Sequence, residues 1–81
     1  MTVALDQLGA GEAAVVQEVH GGRGVRQRLA GFGLHPGDTV LVVRSGSFLG
    51  PVWIRINGSE VALGRGMARR VRVERSEGAC G

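Results

Sequence analysis

Short apolar runs alternate with glycine-bearing breaks along almost the whole chain. The clearest pattern is Pro51-Val52-Trp53-Ile54-Arg55-Ile56, where Val52, Ile54 and Ile56 share one face of a strand and Trp53 and Arg55 share the other. Asn57-Gly58 follows. It is the dipeptide of a type I′ hairpin turn, whose two central residues both need positive φ, so Ser59–Leu63 is predicted to return antiparallel. Ala13–Val19 reads as an earlier strand that stops at His20-Gly21-Gly22. Residues 39–44 form another, with a continuous apolar centre that predicts cover on both faces. Residues 69–75 close the set, with Val71 and Val73 inward and Arg70, Arg72 and Glu74 outward. The total is five strands.

Between these runs the period changes. Leu5 and Leu8 are three apart and predict a single helical turn that lays both leucines on the core. Val25, Leu29 and Phe32 recur at i, i+4 and i+7, the spacing of one helical face, with Arg26 and Arg28 off that stripe. A helix of about two turns does not hold alone in water, so it must dock on the sheet. Gly31 or Gly33 can supply the left-handed residue that ends it. Pro36-Gly37 has the form of a type II turn. Gly64-Arg65-Gly66-Met67-Ala68 predicts a second helical turn or bend, and residues 45–50 form a loop with Phe48 and Leu49 at its tip. Residues 1–75 read as one domain, and residues 76–81, without an anchoring side chain, as a fraying tail. Short strands joined by tight turns predict a mainly β small barrel with one or two short helices.

Size and composition narrow the function. At 81 residues the chain forms one domain with a small core. There is little room for an enclosed cleft. The core is aliphatic, since Phe32, Phe48 and Trp53 are the only aromatic residues. The 15 glycines are scattered rather than tandem, which suits many turns and not a flexible polymer. Cys80 is the only cysteine, so no internal disulfide can form, as expected of a cytoplasmic chain. No apolar run is long enough to span a membrane, and residues 1–6 lack the features of a signal peptide.

Candidate chemistry is sparse. His20, His35, Cys80 and the carboxylates show no metal-ligand spacing, so no metal site is expected. Ser45, Ser47, Ser59 and Ser76 fall in turns or the tail with no histidine placed beside them, and the acidic residues are spread singly; the chain reads as a non-enzyme without cofactor or small-molecule substrate. Gly21-Gly22-Arg23-Gly24 opens a helix but lacks the rest of a P-loop, and is read as a structural turn. The net charge of +3 comes with ten arginines and no lysine. Only Trp53 could serve as a stacking platform among them, so nucleic acid is not expected. The arginines read as a solvated face with ion pairs to Glu60 and Glu74, or as a contact for an acidic protein or an anionic membrane surface. The sharpest candidate is a partner surface built from Phe48, Leu49, Trp53 and Arg55 with Arg26 and Arg28 nearby, since exposed apolar patches and Trp and Arg side chains mark interfaces. The alternative is that the helix or the N-terminal turn covers Trp53 and the loop folds back over the barrel end. Exposed sheet edges would also allow a homo-oligomer.

One resemblance covers nearly the whole chain, from Leu5 to Glu74. The order and spacing of Leu5 and Leu8 with Gly11, Arg28-Leu29, Gly33-Leu34 with Pro36-Gly37, Leu49-Gly50-Pro51, Gly58, Ala62-Leu63, Ala68, Val71 and Val73 resemble the FeoA-type domain of bacterial ferrous iron uptake systems. The resemblance implies an SH3-like barrel with a short helix between its first two long strands. It also implies a small cytosolic accessory protein that acts with a large membrane permease carrying a GTP-binding domain. Similar domains form the C-terminal part of iron-dependent repressors, which implies the alternative of a regulatory domain working through self-association or peptide binding. No helix-turn-helix segment is visible, so the chain is similar to the stand-alone form. Phe32 and Trp53 depart from the family pattern, standing where polar, smaller aliphatic or charged residues are common.

Overall fold

The computed structural model describes residues 2–45 and 50–75. Six antiparallel strands form one sheet: β1 (Thr2–Ala4), β2 (Ala13–Val19), β3 (Thr39–Ser45), β4 (Val52–Ile56), β5 (Ser59–Leu63) and β6 (Val71–Arg75). Their order across the sheet is β1-β6-β2-β3-β4-β5. A 3-10 turn at Leu5–Gln7 follows β1, helix α1 (Arg23–Gly31) joins β2 to β3, and helix α2 (Arg65–Arg69) joins β5 to β6. The sixth strand, β1, was not among the five expected. It is only three residues long, too short to show a period, and it forms because Val3 pairs with Val73 on β6.

Among the described residues no second sheet covers the apolar face. Instead the sheet curls until its inward residues meet. Ala14, Val16, Val40, Val42, Val52, Ile54, Ile56, Leu63, Val71 and Val73 form one buried cluster with Leu5, Leu8, Leu29, Leu34 and Ala68 from the turns and helices. This gives the expected SH3-like barrel, and among the described residues its core is aliphatic, without an aromatic side chain. The 3-10 turn and α2 pack on each other at one end.

Two bulges adjust the curl. Between β2 and β6 the register passes from Val16↔Val73 to Glu18↔Arg72, so Gln17 is an extra residue. Strict alternation after Ala14 and Val16 would have pointed Glu18 inward. The bulge instead leaves Glu18 exposed and sets Val19 against the core. Between β3 and β4 the register passes from Val42↔Ile54 to Arg44↔Trp53, so Val43 is extra and Arg44 is exposed. The expected cover on both faces of β3 is half realised: Val40 and Val42 are buried, while Leu41 and Val43 are half-buried.

The turns follow their sequences. Asn57 and Gly58 both have positive φ, 51° and 84°, as a type I′ turn requires. Helix α1 ends in a Schellman motif: the Gly33 N–H donates to the Ala30 carbonyl (2.9 Å) and the Leu34 N–H donates to the Leu29 carbonyl (3.0 Å). Of the two glycines that could close the helix, Gly33 does so, at φ 88°. This reversal corrects one expectation. Phe32 does not continue the apolar stripe; it is 40% exposed, and Leu34 packs in the core with Leu29 in its place. The reason is that the chain leaves the helix one residue before Phe32.

The Leu29→Ala variant is therefore expected to lose about 2–5 kcal/mol of stability, and Phe32→Ala less than about 1 kcal/mol. Gly33→Ala should cost about 1–2 kcal/mol, because a Cβ is strained at that φ. Urea unfolding of the three variants checks the order.

Candidate functional site

Trp53 stands on the outer face of β4, the strand next to the β5 edge of the sheet. In register it lies between Ala62 on β5 and Arg44 on β3. The next row on that face runs Glu60, Arg55, Leu41 and Ala13 across β5, β4, β3 and β2. Alternation along β4 dictates that Trp53 and Arg55 face outward, because Val52, Ile54 and Ile56 are all buried. The bulge at Val43 adds what alternation alone would not. It brings Val43 and Arg44 to the same face, where with Trp53 and Glu60 they line a shallow recess of about 150 Å³.

Neither helix nor N-terminal turn hides the indole: Trp53 is 37% exposed. That answers the part of the question that concerned Trp53; the loop tip at Phe48 and Leu49 lies outside the described residues. Arg55 Nη2 donates to Glu60 Oε2 at 2.7 Å, an exposed cross-strand ion pair. The recess thus offers an apolar ring and a valine side chain, flanked by the Arg44 cation and a carboxylate already engaged by Arg55. Such a surface can bury an apolar side chain and take a hydrogen bond or charge at its rim. It holds no nucleophile.

The arginines of α1 lie elsewhere. Arg26 borders a larger groove of about 420 Å³, lined also by Glu18, Val19, Ala30, Leu34, His35 and Pro36. Arg26 and Ala30 are i and i+4 on one helical face. Arg28 is exposed about 200° round the helix from Arg26 and lines neither recess. Phe48 and Leu49 lie outside the described residues, as do Cys80 and the rest of 76–81. The groove beside α1 was not legible in the sequence, since it depends on the Gln17 bulge that turns Val19 toward the core.

His20 and His35 each have one acidic neighbour. His20 Nε2 is 3.6 Å from Glu18 Oε2, and His35 Nδ1 is 3.5 Å from Asp38 Oδ2. Among the described residues no three His, Cys, Asp or Glu side chains gather as a metal ion would need. The Gly21-Gly22 segment serves the turn into α1. Gly21 has φ 120°, and a Cβ there would lie 3.2 Å from the Val25 side chain. Among the described residues no helix is long and apolar enough to cross a membrane.

Comparison with known proteins converges on one family. A model of the FeoA domain matches residues 3–75. A candidate Fe(2+) transport protein A of Methanocaldococcus jannaschii is 39% identical over 67 residues, which cover 83% of this chain and 79% of that protein. A crystal structure of an iron uptake regulatory protein, FeoA, superposes with a TM-score of 0.89 at 38% identity, covering 94% of this chain and 100% of that one. A manganese-dependent transcriptional repressor superposes with a TM-score of 0.85 at 18% identity over 93% of this chain and 42% of its own, a likeness of fold.

A double-mutant cycle with Arg55→Ala and Glu60→Ala should give a coupling of about 0.2–1 kcal/mol that shrinks as salt is added, because both side chains are about half exposed. Urea unfolding at low and high salt checks it.

Proposed function

The chain belongs to the FeoA family, and from that premise we propose that it is a non-enzymatic accessory of ferrous iron uptake. It binds the cytosolic GTP-binding region of a membrane ferrous iron permease and acts at the cytoplasmic face of the membrane through that partner. Two lines of support meet here. Family membership and the curated relative point to Fe(2+) transport. The uncovered Trp53, set between Arg44 and Ala62 on the outer face of the sheet, is the observation that carries a contact role.

The mechanism is one of selective binding. A contact that differs in affinity between two conformations of the partner shifts their populations, with no bond made or broken on this chain. Trp53 is suited to anchor such a contact: a large side chain with two rotatable bonds stands on a paired strand, so little backbone ordering is needed on binding. Arg44 and Arg55 border it on the same face and can meet acidic groups on the partner. The segment that carries Phe48 and Leu49 connects β3 to β4, the two strands that present Arg44 and Trp53. Those two residues, which lie outside the described residues, enter the proposal from the sequence alone.

The experiment is titration of the purified GTP-binding region with the wild-type chain and with Trp53→Thr, which keeps a β-branched residue in the strand. The expected outcome is at least about a tenfold loss of affinity in the variant. Its unfolding free energy should fall by no more than about 1 kcal/mol. Full affinity in the variant, or no binding by the wild type, would overturn the reading.

A further inference from the structure

We infer that the free edge of β5 is a self-association surface, through which two copies of this chain pair β5 against β5 about a two-fold axis. The observation is the hydrogen-bonding pattern of the edge. β5 is the last strand of the sheet, and among the described residues β4 is the only element in extensive contact with it. The two-residue turn at Asn57-Gly58 makes Ile56 and Ser59 a hydrogen-bonded pair. Such pairs alternate along an antiparallel ladder. Ser59, Val61 and Leu63 therefore direct their backbone groups to β4, while Glu60 and Ala62 direct theirs to the open side. Among the described residues nothing accepts or donates to those groups from that side.

Natural sheets commonly protect such an edge with a proline, a lysine or another charge, or a bulge. β5 has no proline, no lysine and a continuous register with β4. Its one charge, Glu60, is engaged by Arg55 at 2.7 Å. The opposite edge, β1, is three residues long, against five in β5.

Charge and overlap select both the occupant and the register. Pairing β5 with β1 of another copy would be head-to-tail and would build open chains, whereas β5 with β5 closes after two copies. Three two-fold registers match the outward groups of both strands. One sets Glu60 opposite the partner's Glu60, which is repulsive. One sets Ala62 opposite the partner's Ala62 and leaves Ser59 and Glu60 beyond the partner's strand. The third centres on Val61: Glu60 faces the partner's Ala62, all of Ser59–Leu63 overlaps, and about four backbone hydrogen bonds form. The outer faces then join into one sheet, with the two strands that carry Trp53 about 14 Å apart, three strand spacings. The inference does not depend on the partner proposed above, because the chain alone displays it.

The test is sedimentation equilibrium of the full chain from about 10 µM to 1 mM, a range set by the weakness of so small an interface. The wild type is expected to dimerise reversibly. In the register centred on Val61, Ala62→Glu places two like charges opposite the partner's Glu60 residues and should weaken association about fivefold or more. Ala62→Lys places opposite charges there and should strengthen it. The opposed signs separate this register from loss of folding, since both variants carry a long side chain at the same exposed position. A wild type that stays monomeric across the range overturns the inference. So does a dimer that responds equally to both variants.

Discussion

A single sheet of short strands has one apolar face and no other layer to cover it, and every main feature of this structure follows from that constraint. The hydrophobic drive is proportional to area removed from water, and here that area can be removed only if the sheet bends until its own residues meet. The bending is made by the two bulges and completed by the ends: Leu5 and Leu8 from the 3-10 turn, Leu29 and Leu34 from either side of the α1 terminus, and Ala68 from α2 all enter the same cluster. A core this small has no redundancy. The short helices hold because each contributes its buried residue, not because of their own propensity.

The same bending explains where function can reside. Inside the barrel the space is filled by Val, Leu, Ile and Ala, and the described interior has no buried polar or charged residue. Among the described residues the polar side chains therefore lie toward the outside, most of them as solvated charges. Trp53 is the exception on the sheet. Its exposure is a by-product of strand alternation, but its setting is not: the Val43 bulge moves Arg44 beside it, and Ala62 is too small to cover it.

Local signals were legible where a few adjacent residues decide the conformation. Asn57-Gly58, Pro36-Gly37 and the alternation of β4 depend on backbone sterics and on a period of two, and these are written in neighbouring positions. The family could be read in the same way, from the order of glycines, prolines and core residues over the whole chain. Less could be read of the site. Trp53 and Arg55 could be assigned to one face, whereas Arg26 and Arg28, grouped with them by charge, lie outside the recess that Trp53 lines.

The chain's sequence by itself determined its tight turns, the two faces of β4, its aliphatic core and its family. Only the tertiary structure decided that β1 pairs with β6, that Gln17 and Val43 are the extra residues, that Leu34 rather than Phe32 enters the core, and that the indole of Trp53 stays uncovered. The reason is physical. A bulge, an edge pairing or the covering of a side chain depends on strands distant in the chain, and its free energy comes from the closing of one shared core. No window of neighbouring residues contains it.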